Sequence, residues 1–223
     1  PYGQQPTIGT VDHLKNPSLV YIQNYFDTYY VPNNMGIFIS GDIDVTETIE
    51  LISEKFGQWE PSPILEVGPW EEPSLEGAER RTVQYPGEEQ VSIAFRTAEN
   101  GHEDKEALIL VDMILDNSTA GLINLNLTQQ QLVSNAGSSP LFLNDYGSQN
   151  LYGVPKPDQT LQEVEQLLLD QLTLIKSGEF DDWIIPAIIN DFKKNEKASL
   201  EFNTARVDTM RQSFIEGSDW DYH

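Results

Sequence analysis

The sequence predicts an α+β fold, an antiparallel sheet with helices packed on one side. Three observations predict it. The first 57 residues read as helix, strand, helix. Residues 90–97 place Val91, Ile93 and Phe95 in alternation with smaller or polar residues, the pattern of a half-buried antiparallel strand. Residues 161–175 repeat apolar side chains at the spacing of one helix face.

Taken in order, the chain opens on a turn-rich polar stretch, Pro1-Tyr2-Gly3 to Thr10. Ser18 can cap a helix over about 19–30, on which Leu19, Ile22, Phe26 and Tyr30 share a face. Pro32-Asn33-Asn34 breaks it. Met35 to Ser40 then reads as a short buried strand, closed by Gly41-Asp42. Asp44 or Thr46 starts a second helix with Ile49, Ile52 and Phe56 on its apolar side and Gly57 as its C-cap. Residues 58–79, with Pro61, Pro63, Pro69, Pro73 and many glutamates, read as a surface crossing.

Strands are expected over about 81–85 and 90–97, then a helix over about 103–115 and a short one over 120–127. Residues 131–154 look like an antiparallel set, with Leu141 and Leu143 alternating and Gly147 and Gly153 near turns. Three helices close the chain, at about 160–177, 180–200 and 203–216. Gly178 ends the first. Asp181 or Asp182 can cap the second, with Pro186 in its first turn or kinking it.

The chain has 223 residues, 36 of them acidic and 13 basic, for a formal charge of -23. Hydrophobic residues make up 39%, enough for a real core, so this is not a disordered acidic tail. Binding to nucleic acid needs clustered Lys and Arg, and this charge repels phosphates and anionic membranes alike. Cysteine is absent, which removes disulfides, thiolate zinc sites and cysteine nucleophiles. No apolar run approaches the roughly 20 residues that span a bilayer, and no signal peptide is visible. Pro1 in place of Met, and an end at Trp220-Asp221-Tyr222-His223, lead us to expect a piece excised from a longer multi-domain chain, with residues 1–223 forming a single α+β domain.

The search for chemistry finds little. A catalytic zinc needs about three side-chain ligands and an open position. The histidines are His13, His102 and His223, none four residues from another. His102-Glu103-Asp104-Lys105-Glu106 half resembles the helical His-Glu-x-x-His motif, but Glu106 stands where the second imidazole belongs. The inverted His-x-x-Glu-His arrangement is absent too. His102 therefore reads as a surface residue at a helix start and His13 as a capping or packing residue. No Gly-x-Ser-x-Gly elbow or phosphate loop occurs. Carboxylate pairs such as Asp181-Asp182 and Glu71-Glu72 fall where caps and loops explain them. Asn117-Ser118-Thr119 and Asn126-Leu127-Thr128 match the short glycosylation pattern, which occurs often by chance. Tyr21, Tyr25, Tyr29 and Tyr30 share one helix and read as core or domain interface before ligand recognition.

A series of short motifs is more specific. Pro1-Tyr2-Gly3 and Pro6-Thr7-Ile8-Gly9 precede His13-Leu14. Phe26-Asp27-Thr28-Tyr29-Tyr30 leads into Val31-Pro32-Asn33-Asn34-Met35, and Ser40-Gly41-Asp42-Ile43-Asp44 follows. The series resembles the start of the second domain of insulinase/pitrilysin-family zinc peptidases. Leu161 to Phe180, closing in Ser177-Gly178-Glu179-Phe180, resembles a later helix of that family and its Gly-x-Phe break.

The resemblance implies a fold like that of the insulinase/pitrilysin and mitochondrial processing peptidase domains, paired around a chamber for extended peptides. It also implies that zinc belongs to the preceding domain of the parent chain, with none bound here. Some second-type domains lend an Arg and a Tyr to the active site. The corresponding stretch here is Leu127 to Ser134, with Thr128 and Ser134 in those places. The resemblance therefore assigns no catalytic, cofactor-binding or metal residue to this chain. The expected function is that of a non-catalytic domain of a zinc metallopeptidase, inactive alone. Its expected partners are the catalytic zinc domain of the same chain and peptide substrates, with no nucleic acid and no membrane insertion. The alternative is a binding or assembly subunit of a peptidase-like complex; an independent carboxylate enzyme is the third reading. The resemblance points to a bacterial periplasm or envelope.

Overall fold

Side-chain oxygens start four of the helices. Thr10 and His13 form a capping box, Ser18 Oγ accepts from Tyr21 N, Asp44 Oδ1 accepts from Glu47 N, and Thr160 and Glu163 form a second capping box. Asp44, not Thr46, is thus the cap of its helix. The computed structural model describes residues 8–65, 68–117 and 119–218. In chain order its regular elements are α1 (Val11–Lys15), α2 (Leu19–Tyr29), a 3-10 turn (Pro32–Asn34), α3 (Val45–Phe56), β1 (Val91–Thr97) and α4 (Lys105–Leu115). A π-helical turn (Asn124–Thr128), β2 (Asn135–Phe142), β3 (Gly147–Val154), α5 (Leu161–Ser177), α6 (Ile184–Ser199) and α7 (Asn203–Glu216) follow. The chain divides into two compact units: residues 1–72 with 200–223, and residues 73–199.

The second unit holds the core. Its sheet has the order β1-β3-β2, antiparallel throughout. The α+β expectation therefore holds, with the strand at 91–97 where the alternation placed it. β3 buries every second residue, Gly147, Gln149, Leu151 and Gly153, which is the two-residue period of a sheet with one covered face. α5 packs across β3 and β1, and α4 across β2. Leu115, Ile123, Leu127, Val133, Leu151, Val164 and Leu168 form the continuous core between these layers. A second cluster, Ile114, Leu122, Ile184 and Ile188, seats α6 behind α4. Pro186 is the third residue of α6, where its missing N–H leaves no helical bond unmade.

Gly147 opens β3 just after the bend at residues 144–145, and Gly153 is its penultimate residue. A Cβ on Gly153 would clash with Val164 Cγ1, so its absence is what lets α5 approach the sheet. Gly178 takes the left-handed conformation (φ 71°) after α5, as a C-cap glycine does. Residues 81–85, expected as a strand, are exposed and join no ladder among the described residues. There Arg80 reaches Glu165 of α5 with two bonds of 2.7 Å, and Pro86-Gly87 turns the chain just beyond. Side chains, not a ladder, hold this segment.

The first unit is different. The turn expected at Pro32–Asn34 is present, and both asparagines are used: Asn33 exchanges two hydrogen bonds with Ser62, at 2.9 and 3.1 Å, and Asn34 Nδ2 donates to Tyr29 O. Among the described residues of this unit only Val31 and Ser213 are buried. No residue of α1, α2 or α3 is buried. Met35–Ser40, expected as a buried strand, joins no strand ladder among the described residues. Its Phe38 ring packs on Phe214 of α7 at 5.6 Å, and Ser40 Oγ donates to Asn203 Oδ1 at 3.0 Å. Among the described residues no strand pairs with it, and Met35, Ile37 and Ile39 stay exposed.

Candidate functional site

The residues that could do chemistry do not converge. His13 Nδ1 accepts from Thr10 N, closing the capping box of α1. His102 Nδ1 accepts from Asp104 N at 3.1 Å, just ahead of α4. His223 lies outside the described residues. Asp181 Oδ2 accepts from Trp183 Nε1 at 3.0 Å, and Asp181 O accepts from Ile184 N, so the first of the paired aspartates serves the start of α6. Among the described residues no group of three or more His, Cys, Asp or Glu side chains could hold a metal ion.

An internal polar cluster around Asp112 was not anticipated. Asp112 sits in the apolar run of α4 and turns toward the sheet. Its Oδ1 accepts from Ser138 Oγ of β2 at 2.5 Å and from Gln149 Nε2 of β3 at 2.7 Å. One turn on, Asp116 Oδ2 accepts from Ser138 N at 2.9 Å. Gln149 is buried, and its Oε1 finds no partner among the described residues. Burial pushes the Asp112 carboxyl up, opposed by the bonds from Ser138 and Gln149 and reinforced by the negative charge of Asp116. A single acid inside Ala107–Leu115 was the sequence signal for it. Every donor points at the carboxylate, and His102 lies at the far end of α4. The cluster ties α4 to two strands and offers no activated nucleophile.

Its titration has a definite sign. A carboxyl raised in the fold keeps its proton there at pH values where the unfolded chain has lost it. This contribution to stability is present at acid pH and is lost as pH rises through the folded value. Glu163 and Glu165 run the other way, lowered by Thr160 and by Arg80 respectively. Asp112→Asn keeps the accepting oxygen and removes the charge. Urea unfolding across pH should show the variant at least as stable as the natural chain at neutral pH, with the acid-side gain of the natural chain reduced. A loss above about 2 kcal/mol at neutral pH, the scale of a broken charged hydrogen bond, would show that the ionised form is the stabilising one.

The remaining candidates resolve individually. Thr128 and Ser134, aligned with the assisting Arg and Tyr, are both exposed, one closing the π-helical turn and one donating its amide to Val154 O. Asn126 Nδ2 donates to the buried Gln171 at 2.8 Å, so this asparagine is engaged inside the fold. Asn117 Oδ1 accepts from Thr119 N and Ala120 N, and its amide donates to Asp191. Ser118 lies outside the described residues. Asp191 also accepts from Asn195. These side chains, with Met113 and Phe192, line an open groove of about 410 Å³ between the end of α4 and α6. On α2 the Tyr25 and Tyr29 rings meet at a tilt of 46° with centroids 4.7 Å apart, while Tyr21, Tyr25 and Tyr30 stay exposed.

With the geometry given, comparison with known proteins supplies the family. Residues 20–192 match the family described as the peptidase M16 inactive domain. The chain belongs to that family. Zinc protease PqqE of Helicobacter pylori is 24% identical to this M16 domain over 213 residues, covering 91% of the chain and 46% of PqqE. The M16 domain thus spans about half the length of that curated relative. Among solved structures, a protease from Helicobacter pylori superposes with a TM-score of 0.83 at 20% identity, over 94% of this chain and 52% of that one. The periplasmic protease PqqL from Escherichia coli gives 0.65 at 14% identity, over 95% and 24%. The M16 domain therefore has the fold of these proteases, and its family is the non-catalytic one.

Proposed function

We propose that the chain is the supporting part of a zinc metallopeptidase, forming a wall of the substrate chamber and holding the zinc domain of the same parent protein. The match of residues 20–192 to the inactive-domain family carries this reading. The zinc-protease name of a relative twice as long supports it. Zinc would then be held by the preceding domain and would supply an activated water for peptide-bond hydrolysis, and this chain would contribute shape and charge. A chamber wall carrying a net charge of -23 favours basic or neutral extended peptides over acidic ones. The periplasmic PqqL suggests the same compartment. No helix among the described residues is long and apolar enough to cross a membrane.

The test is substrate size and charge. The full-length gene product should cleave unfolded peptides, basic ones faster than acidic ones, and should spare the same sequences inside a folded protein. Equal cleavage of folded and unfolded substrates would contradict a chamber. The second reading, a binding or assembly subunit, is favoured by the uncovered apolar surface of the first unit. Absence of a zinc motif upstream in the gene would select it.

A further inference from the structure

Asn100-Gly101 is the only Asn-Gly pair in the sequence. It sits in the turn between β1 and α4, where His102 N donates to Glu99 O at 3.3 Å. Three contacts fix its surroundings. Asn100 N donates to Leu143 O at 2.8 Å, tying the turn to the loop between β2 and β3. Lys105 Nζ donates to Asn100 Oδ1 at 2.8 Å, in a part-buried setting. The same ammonium lies over the Phe142 ring, 5.6 Å from its centroid. Gly101 is held less. It is exposed, its φ is 90°, and its N–H makes no hydrogen bond among the described residues. Apart from its chain neighbours, nothing described stands within 4 Å of the place a Cβ would take.

A backbone nitrogen that follows an asparagine can attack the side-chain amide before it, and glycine hinders that attack least because it has no Cβ. Here the nucleophile is uncommitted, and the carbonyl it would attack is already held by a cation. We infer that Asn100 is a site of self-modification, a spontaneous deamidation assisted by Lys105. Gly101 N forms a bond to Asn100 Cγ. Negative charge gathers on Oδ1, where the Lys105 ammonium stabilises it as an oxyanion-hole donor does. The Cγ–Nδ2 bond then breaks, and Nδ2 leaves as ammonia with the proton given up by Gly101 N. A cyclic imide remains. Solvent water adds to either imide carbonyl and reopens the ring, to aspartate or to its β-linked isomer. Nothing is oxidised or reduced. The aspartate product keeps the backbone of the turn and gains an ion pair with Lys105. The isomer lengthens the backbone by one methylene and pulls against the bond to Leu143 O. The reaction needs neither zinc nor a peptide substrate.

Peptide mapping by mass spectrometry tests the site, on the full-length product incubated folded at neutral pH. The peptide containing Asn100 should gain about one dalton and separate into aspartate and isomer forms, ahead of peptides carrying other asparagines. Lys105→Gln should slow the conversion at least about fivefold, the direction expected for loss of an oxyanion donor. Lys105→Arg should keep most of the natural rate, because both side chains carry a full charge. An Asn100 that stays intact in the folded protein while the urea-unfolded chain converts would overturn the site. Equal or faster conversion in Lys105→Gln would overturn the part given to Lys105, since the ammonium would then only hold the side chain still.

Discussion

Leu168→Ala should lower the unfolding free energy of the second unit by about 3 to 5 kcal/mol, the range for emptying a filled core position. Leu168 is 0% exposed and sits on the inner face of α5. It touches the space left by Gly153, and it belongs to the cluster with Leu115, Leu151 and Val164. Those neighbours come from α4, β3 and α5, elements fixed by other contacts, so the cavity has little room to collapse. Urea unfolding should show an earlier midpoint with an unchanged slope, because the surface exposed on unfolding is nearly the same. A loss under about 1 kcal/mol would mean that α5 does not depend on this contact.

Gly153→Val should destabilise the chain as well, against the propensity of the residue introduced. Valine is a better strand former than glycine, and on that ground alone the change would help. Space decides otherwise. The new Cβ would clash with Val164 Cγ1 and come within 3.2 Å of Leu168 Cδ1, on the central strand of the sheet. Overpacking of this kind costs about 1 to 3 kcal/mol. Val164→Ala in the same chain should return part of the loss, giving a coupling between the two sites. Thermal unfolding of the two single variants and the double variant measures it. Strict additivity would show that the helix shifts instead of clashing.

Much of the second unit was legible because its signals are local. The capping box Thr160-Glu163, the apolar stripe of residues 161–175 and Gly178 define α5 without reference to anything distant. The alternation at Val91, Ile93 and Phe95 gave β1. β3 was harder. Its residues Gly147-Ser148-Gln149-Asn150 are polar or small, since two inward positions are glycines that make room and a third is a glutamine bonded to Asp112. That pairing joins α4 to β3 across 37 residues, and no periodicity reports such a contact. Met35–Ser40 reads as a strand in the sequence yet stands unpaired here. Its pattern describes a burial that the described residues do not supply. For function, composition and spacing reached only an acidic α+β domain without an evident active site. The short motifs around Tyr29 to Asp44 carried the rest, and the family match covers them.

Catalysis should belong to the parent protein and not to this chain. Zinc content by elemental analysis and peptide cleavage, measured side by side on the 223-residue chain and the full-length product, test it most directly. The full-length product should hold about one zinc and show chelator-sensitive cleavage, as for a three-ligand catalytic site, and the chain alone should show neither. Stoichiometric zinc or cleavage in the chain alone would contradict it.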